Sequence, residues 1–114
     1  MSGEETTFKT ERIADMVGEE HVETMLESYA DSLGKALSDI LQAWRAEDIS
    51  QVKMLAHKMK SSTYIVGADE LVDRFKMIEL SAEAKQLSSE MINDITTYAN
   101  SVLSDIRKFL SGNG

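Results

Sequence analysis

The sequence predicts an all-α protein: an antiparallel four-helix bundle with a short extra helix at the N-terminus. Three observations carry this. The chain has no proline, and of its six glycines only Gly18, Gly34 and Gly67 lie away from the ends, so long uninterrupted helices are the natural reading. Apolar residues recur in steps of three and four over four long stretches, the period of a helix with one buried face. No stretch alternates polar and apolar residues with the β-branched enrichment of a strand.

The elements follow in order. A short helix is expected over residues 10–17, with Ile13, Met16 and Val17 inward and Gly18 as its stop. In the second, Val22, Met25, Leu26, Tyr29, Leu33, Ala36, Leu37, Ile40 and Trp44 form one continuous stripe. Gly34 falls off that stripe and weakens the helix by about 1 kcal/mol without ending it. Asp48 caps the third helix, and Gln51 three residues on resembles a capping box. Its inner face is Ile49, Val52, Leu55, Ala56, Met59, Thr63 and Val66, with Gly67 as its stop. The fourth begins near Asp69, whose charge suits a helix N-terminus, and buries Leu71, Phe75, Ile78 and Ala82. The spacing then jumps by five to Leu87, and a new stripe runs Leu87, Met91, Ile95, Tyr98, Val102, Ile106, Phe109. That phase break places a turn at residues 85–88, although no glycine or proline marks it. Short connections between four amphipathic helices make an antiparallel bundle.

Composition narrows the function. At 114 residues the chain is a single domain, 1–114, large enough for one core. It has no cysteine, hence no disulfide framework, thiolate nucleophile or cysteine-based zinc site. No apolar run approaches the roughly 18 residues of a membrane span, and the acidic start is unlike a signal peptide, so the expected home is the cytoplasm. The formal net charge of −8 repels phosphate backbones and anionic lipids, which argues against nucleic acid and membrane partners. No Gly-rich phosphate loop is present, so ATP binding is not expected. The compact ends and the initial methionine suggest a free-standing protein, and a monomer is expected.

One stretch breaks the charge pattern. The chain has 20 acidic residues, yet residues 49–68 hold none while holding Lys53, Lys58 and Lys60. At about 100° per residue, with Ile49 at zero, the apolar positions Val52, Ala56, Met59 and Thr63 fall between about 280° and 340°. His57 falls near 80°, off that face, and Lys53, Lys60, Ser61 and Tyr64 fall between about 20° and 120° around it. His57 is therefore expected in mid-helix, exposed and ringed by Lys53, Lys60, Ser61 and Tyr64. A metal site wants a second His, Asp or Glu one turn away, and the positions there are Lys53, Met54, Lys60 and Ser61, so no metal ligand set is expected. No carboxylate is local to orient the imidazole as in a Ser-His-Asp arrangement, though an acid on another helix could reach it. What remains is a nucleophilic imidazole beside ammonium groups. The cations favour its neutral form and would neutralise a phosphoryl group once attached.

The other candidates weaken. His21 lies among Glu19, Glu20 and Glu23 with no second histidine at i+4, the pattern of a solvated residue. Of the seven methionines, Met16, Met25, Met59 and Met91 fall on core stripes. Met54 and Met77 do not, and Met54 flanks His57. Trp44 continues the stripe of its helix, where packing is the expected role.

The run His57-Lys58-Met59-Lys60-Ser61-Ser62, preceded by Leu55-Ala56 and followed by Gly67-Ala68 and Leu71, resembles the histidine-containing phosphotransfer family. That family's usual pattern is Ala-His-x-Leu-Lys-Gly-Ser-x(4)-Gly-Ala-x-x-Leu. The likeness covers residues 53–71. Lys60-Ser61-Ser62 together with Gly67-Ala68-Asp69 resembles the family's stand-alone members of quorum-sensing relays. Two positions depart: Ser61 stands where glycine is common, and Met59 replaces leucine, a core swap of little consequence. The resemblance implies a four-helix core and a phosphorelay intermediate. His57 would be the phosphoacceptor through Nε2, with Lys60 and Lys53 beside the phosphoryl group and Gly67 ending the helix. The partners implied are receiver domains of a hybrid sensor kinase and of a response regulator. The acids and Mg²⁺ of the reaction would belong to the receiver, so this chain would need no cofactor. It would be a phosphocarrier rather than a kinase. Small or apolar residues around the histidine (Met54, Ser61, Tyr64 and Ile65) form the candidate docking patch. The alternative is a non-phosphorylated helical adaptor that binds an acidic protein through the same face.

Overall fold

A computed structural model describes residues 6–112. Among them there are five α-helices and no strand: α1 (Glu11–Val17), α2 (Val22–Arg45), α3 (Ile49–Ile65), α4 (Asp69–Glu83) and α5 (Ser89–Gly112). A single 3-10 turn, Glu19–His21, leads into α2. The long helices pack in a closed ring, α2 on α3, α3 on α4, α4 on α5 and α5 back on α2, while α1 leans on α2. No described helix is long and apolar enough to cross a membrane.

Three of the helices end the same way. In each, the second residue past the last helical one turns left-handed, and two backbone N–H groups fold back onto carbonyls of the last turn, the Schellman arrangement. After α3, Gly67 takes the left-handed position (φ +74°), with Gly67 N–H donating to Tyr64 O (2.9 Å) and Ala68 N–H to Thr63 O (3.2 Å). After α2 the position is held by Glu47 (φ +60°) and after α4 by Lys85 (φ +59°). This explains why the turn at 85–88 carries no glycine: lysine itself takes the strained position. Glycine is required at 67 for a second reason. A Cβ there would lie 2.5 Å from the carbonyl oxygen of Lys9, because the segment before α1 crosses this corner, with Lys9 N–H donating to Val66 O (3.1 Å). The same segment buries Phe8 and ties Thr7 to Asp105 on α5.

Two helix starts are capped by side chains, the first by the residue the sequence suggests and the second by a serine it did not single out. Asp48 Oδ1 accepts from Gln51 N–H (3.2 Å) before α3, and Ser88 Oγ accepts from Met91 N–H (3.3 Å) before α5. Each satisfies one of the orphan donors of a helix N-terminus.

The core follows the expected stripes in α2, α3 and α4, with Leu26, Leu33, Ile40, Val52, Ala56, Leu71, Phe75 and Ile78 almost fully buried. Each large one contributes about 1.5–3 kcal/mol by leaving water. Thr63 is the buried polar residue of this core, and its hydroxyl pairs with that of Tyr29 at 2.7 Å. Burial raises the Tyr29 phenol well above its ordinary value.

Several expected core positions lie elsewhere. Met16 and Val17 are exposed, and α1 buries only Ile13. A seven-residue helix presents one inward position, and its last three residues, 15–17, are exposed. On α2, Ala43 is buried and Trp44 sits at the edge of the core. On α5 the buried set is Ile92, Ile95, Ala99, Val102, Leu103 and Ile106. Met91 and Tyr98 are partly buried, and Phe109 is 40% exposed. This helix faces both α2 and α4, so its buried arc is wider and rotated from a single stripe. Tyr98 lies at the rim with the Arg74 guanidinium 4.1 Å above its ring, and Phe109 meets Phe8 edge to face.

Candidate functional site

The outer face of α3 carries the residues singled out by charge and spacing. The apolar positions of α3 turn inward at period 3.6, so His57, one hundred degrees on from Ala56, must point out. Its side chain is 65% exposed. Met54, Ser61 and Tyr64 are exposed on the same face. Ile65 is not part of that surface: it is partly buried against the core and borders the seam with α2, beside Met25 and Tyr29. Tyr64 is half occupied, since the Arg12 guanidinium lies 3.9 Å over its ring. Arg12 also donates to Tyr64 O (2.8 Å) and to both carboxylate oxygens of Asp69 (2.6 and 3.0 Å), which holds the Asp69 carboxyl below its ordinary range. Gly67 stands at the end of the helix as expected.

The lysines are not a bare cationic ring. Lys53 Nζ pairs with Glu83 at 2.8 Å, and Lys60 Nζ pairs with Glu79 Oε1 at 2.7 Å. Glu79 Oε2 accepts from His57 Nδ1 at 2.6 Å. The acid that no local sequence supplied therefore comes from α4. Glu79 is only 17% exposed, well below the imidazole it holds. The hydrogen bond from Lys60 lowers its pKa below the ordinary carboxylate range, burial works against this, and the bond from His57 lowers it further. An ionised carboxylate can only accept, so the shared proton sits on Nδ1. In the neutral ring Nε2 then carries the lone pair, and among the described residues it has no hydrogen-bond partner. Lys58 points to the other side of α3, toward Ser32, Lys35 and Asp39 of α2.

Glu79 and Glu83 had a signal in the sequence. His57 and Glu79 stand eleven residues either side of Ala68, and Lys53 and Glu83 stand fifteen. Two helices joined by a tight turn and running antiparallel bring such mirrored positions together. The i, i+4 spacing on each helix then aligns both pairs along one seam. Among the described residues no three metal-ligating side chains cluster.

What the arrangement offers is an exposed nitrogen nucleophile with its other nitrogen anchored, an ammonium group beside it, and small neighbours that allow close approach. The sequence matches the Hpt domain family over residues 24–107. It is similar to the phosphorelay protein LuxU of Vibrio harveyi, 26% identical over 82 residues that make up 72% of each chain. No solved structure matches it significantly. The family match runs from the first turn of α2 through most of α5 and so takes in the whole face around His57; the chain belongs to the Hpt domain family.

Proposed function

We propose that this chain is a phosphorelay intermediate that carries a phosphoryl group on His57 between the receiver domains of two partners. Its first partner would be the receiver of a hybrid sensor kinase, and the second that of a response regulator. Family membership supports the general role, as does the similarity to a phosphorelay protein. The observation that carries the reading is the ring of His57, 65% exposed with Nδ1 held by Glu79 and Nε2 unpartnered. The Nε2 lone pair attacks the phosphorus of a receiver phosphoaspartate in line. The P–N bond forms as the P–O bond to the aspartyl carboxylate breaks, and the carboxylate leaves with the electron pair. The second receiver's aspartate reverses the step. Positioning and charge stabilisation carry such transfers.

Lys60 supplies the nearest ammonium for the phosphoryl oxygens and Lys53 adds charge one turn before. Met54, Ser61 and the free face of Tyr64 form the contact surface. Mg²⁺ belongs to the receiver, and the chain acts as a phosphocarrier without ATP-dependent kinase activity. In this reading it is a single cytoplasmic, monomeric domain, 1–114. The closed ring of neighbouring helices and their short connections support an antiparallel four-helix arrangement. Incubation with a phosphorylated receiver domain tests the proposal: phosphate should move to this chain and then to a second receiver. A protein that bound the receiver tightly yet took no phosphate would be the adaptor instead.

A further inference from the structure

We propose that Lys53 serves two partners in turn, Glu83 while His57 is bare and the phosphoryl group once His57 carries one, and that Glu83 thereby sets how firmly the chain holds its phosphate. The inference rests on the acceptor role of His57 and adds a positioning residue on α4 that acts through Lys53. Lys53 Nζ donates to Glu83 Oε2 at 2.8 Å. Two shallow depressions meet at this lysine. One is lined by Lys53 with Met54, His57 and Glu79, the other by Lys53 with Ala82, Glu83 and Lys85. Side chains four residues apart on a helix are surface neighbours, about 5–6 Å between Cβ atoms. The four-carbon arm of Lys53 can therefore turn from Glu83 to a group on the outer nitrogen of His57.

The exchange is easy on this side of the ring. The Lys53–Glu83 pair is open to water, its side chains 39% and 61% exposed, and exposed ion pairs are weak. Among the described residues Glu83 pairs with no other side chain, whereas Glu79 is shared between Lys60 and His57. Lys85 borders the same depression as Glu83, so the released carboxylate keeps a cation nearby. A phosphoryl group offers about two negative charges and three acceptor oxygens, which attract an ammonium more strongly than one solvated carboxylate does. Covalently nothing is added: P–N forms at His57, P–O breaks at the receiver's aspartate, and only the ammonium changes partner. The consequence is a shift of equilibrium. Glu83 engages Lys53 in the unphosphorylated state alone, so it competes with the phosphoryl group and biases phosphate toward the receiver.

A double-mutant cycle read as an equilibrium tests this on the intact protein. Wild type and each variant are mixed at low concentration with one radiolabelled phosphoreceiver domain and Mg²⁺, and the label is partitioned between the two chains once transfer has levelled. Docking strength speeds both directions alike and drops out of the ratio. Glu83→Gln should move the partition toward this chain about two- to fivefold, the range an exposed ion pair supports, and Lys53→Ala should move it toward the receiver. Glu83→Gln added to Lys53→Ala should bring little further change. Both side chains are exposed, so the variants should keep the circular dichroism of wild type. An unchanged partition in either single variant overturns the proposal. So does an equal gain from Glu83→Gln with and without Lys53, which would mean that Glu83 acts on the phosphate by its own charge. If wild type takes no phosphate, the acceptor reading fails and this proposal with it, whereas labelled wild type with an additive cycle overturns this proposal alone.

Discussion

Replacing Gly67 by alanine adds one methyl group at the corner where α3 ends, and three costs can be read from the structure. The residue holds φ at +74°, which costs a residue with a Cβ about 1–2 kcal/mol. The new Cβ would lie 2.5 Å from Lys9 O and 2.7 Å from Lys9 N. Both are backbone atoms, so the segment before α1 must move. Moving it breaks the Lys9–Val66 hydrogen bond of 3.1 Å, about 0.5–1.5 kcal/mol, and uncovers part of Phe8, now 5% exposed, out of a full burial worth about 1.5–3 kcal/mol. The expected total is about 3–5 kcal/mol, a large share of a typical domain's stability. At roughly 4 °C per kcal/mol for a chain of this size, Tm should fall by about 10–20 °C. Gly34→Ala is the control: Gly34 is helical with nothing within 4 Å of an added Cβ, so the change should stabilise by about 0.5–1 kcal/mol. Thermal and urea unfolding followed by circular dichroism measure both. Gly67 lies ten residues, about 15 Å of helix, from His57, so folded Gly67→Ala should still take phosphate from a small donor. A loss below about 1 kcal/mol for Gly67→Ala would refute the crossing-segment argument.

Other outcomes follow from the site. Lys60→Ala should slow receiver transfer or destabilise the phosphohistidine about tenfold, since a charge-assisted contact is lost, while Lys58→Ala, on the far side of α3, should change little; equal rates for wild type and Lys60→Ala would remove Lys60 from the phosphate. Ser61→Trp places a bulky ring one turn from His57 on the exposed face, so receiver transfer should drop at least tenfold while phosphoramidate labelling persists; normal receiver transfer would move the docking surface elsewhere. Lys60 and His57 hold the Glu79 carboxyl below its ordinary range, so the folded state binds its proton less readily than the unfolded chain. Its contribution is full above the unfolded value of about 4.3 and is lost as pH falls through the lowered folded value. The stability gap between wild type and Glu79→Gln, read from urea midpoints, should therefore close in acid, and a gap that widened there would contradict the pairing.

The parts of the fold that depend on local periodicity were legible in the sequence. The stripes of α2, α3 and α4, the Asp48 cap and the Gly67 stop all follow from side-chain spacing and backbone preference. What was not legible depended on neighbours. Glu47 and Lys85 end helices in a conformation their residue types do not announce. The burial of Phe8 and the rotated face of α5 follow from which elements lie alongside, and the outward turn of Met16 from how short α1 is. At the site, the exposure of His57 and the flanking of Lys53 and Lys60 came from the helical wheel alone. Glu79 did not, because its partner is twenty-two residues away. Only the pairing of α3 with α4 about Ala68 brings it under the imidazole.

The central claim is that His57 itself takes the phosphoryl group. Phosphorylation of wild type and His57→Ala by the same receiver, with the modified residue mapped by mass spectrometry and tested in acid and base, addresses it directly. Wild type should carry an acid-labile, base-stable phosphate on His57. His57→Ala should carry none while keeping its helicity, because the side chain points away from the core. Phosphate on His57→Ala at the wild-type level, or on another residue of wild type, would contradict the account.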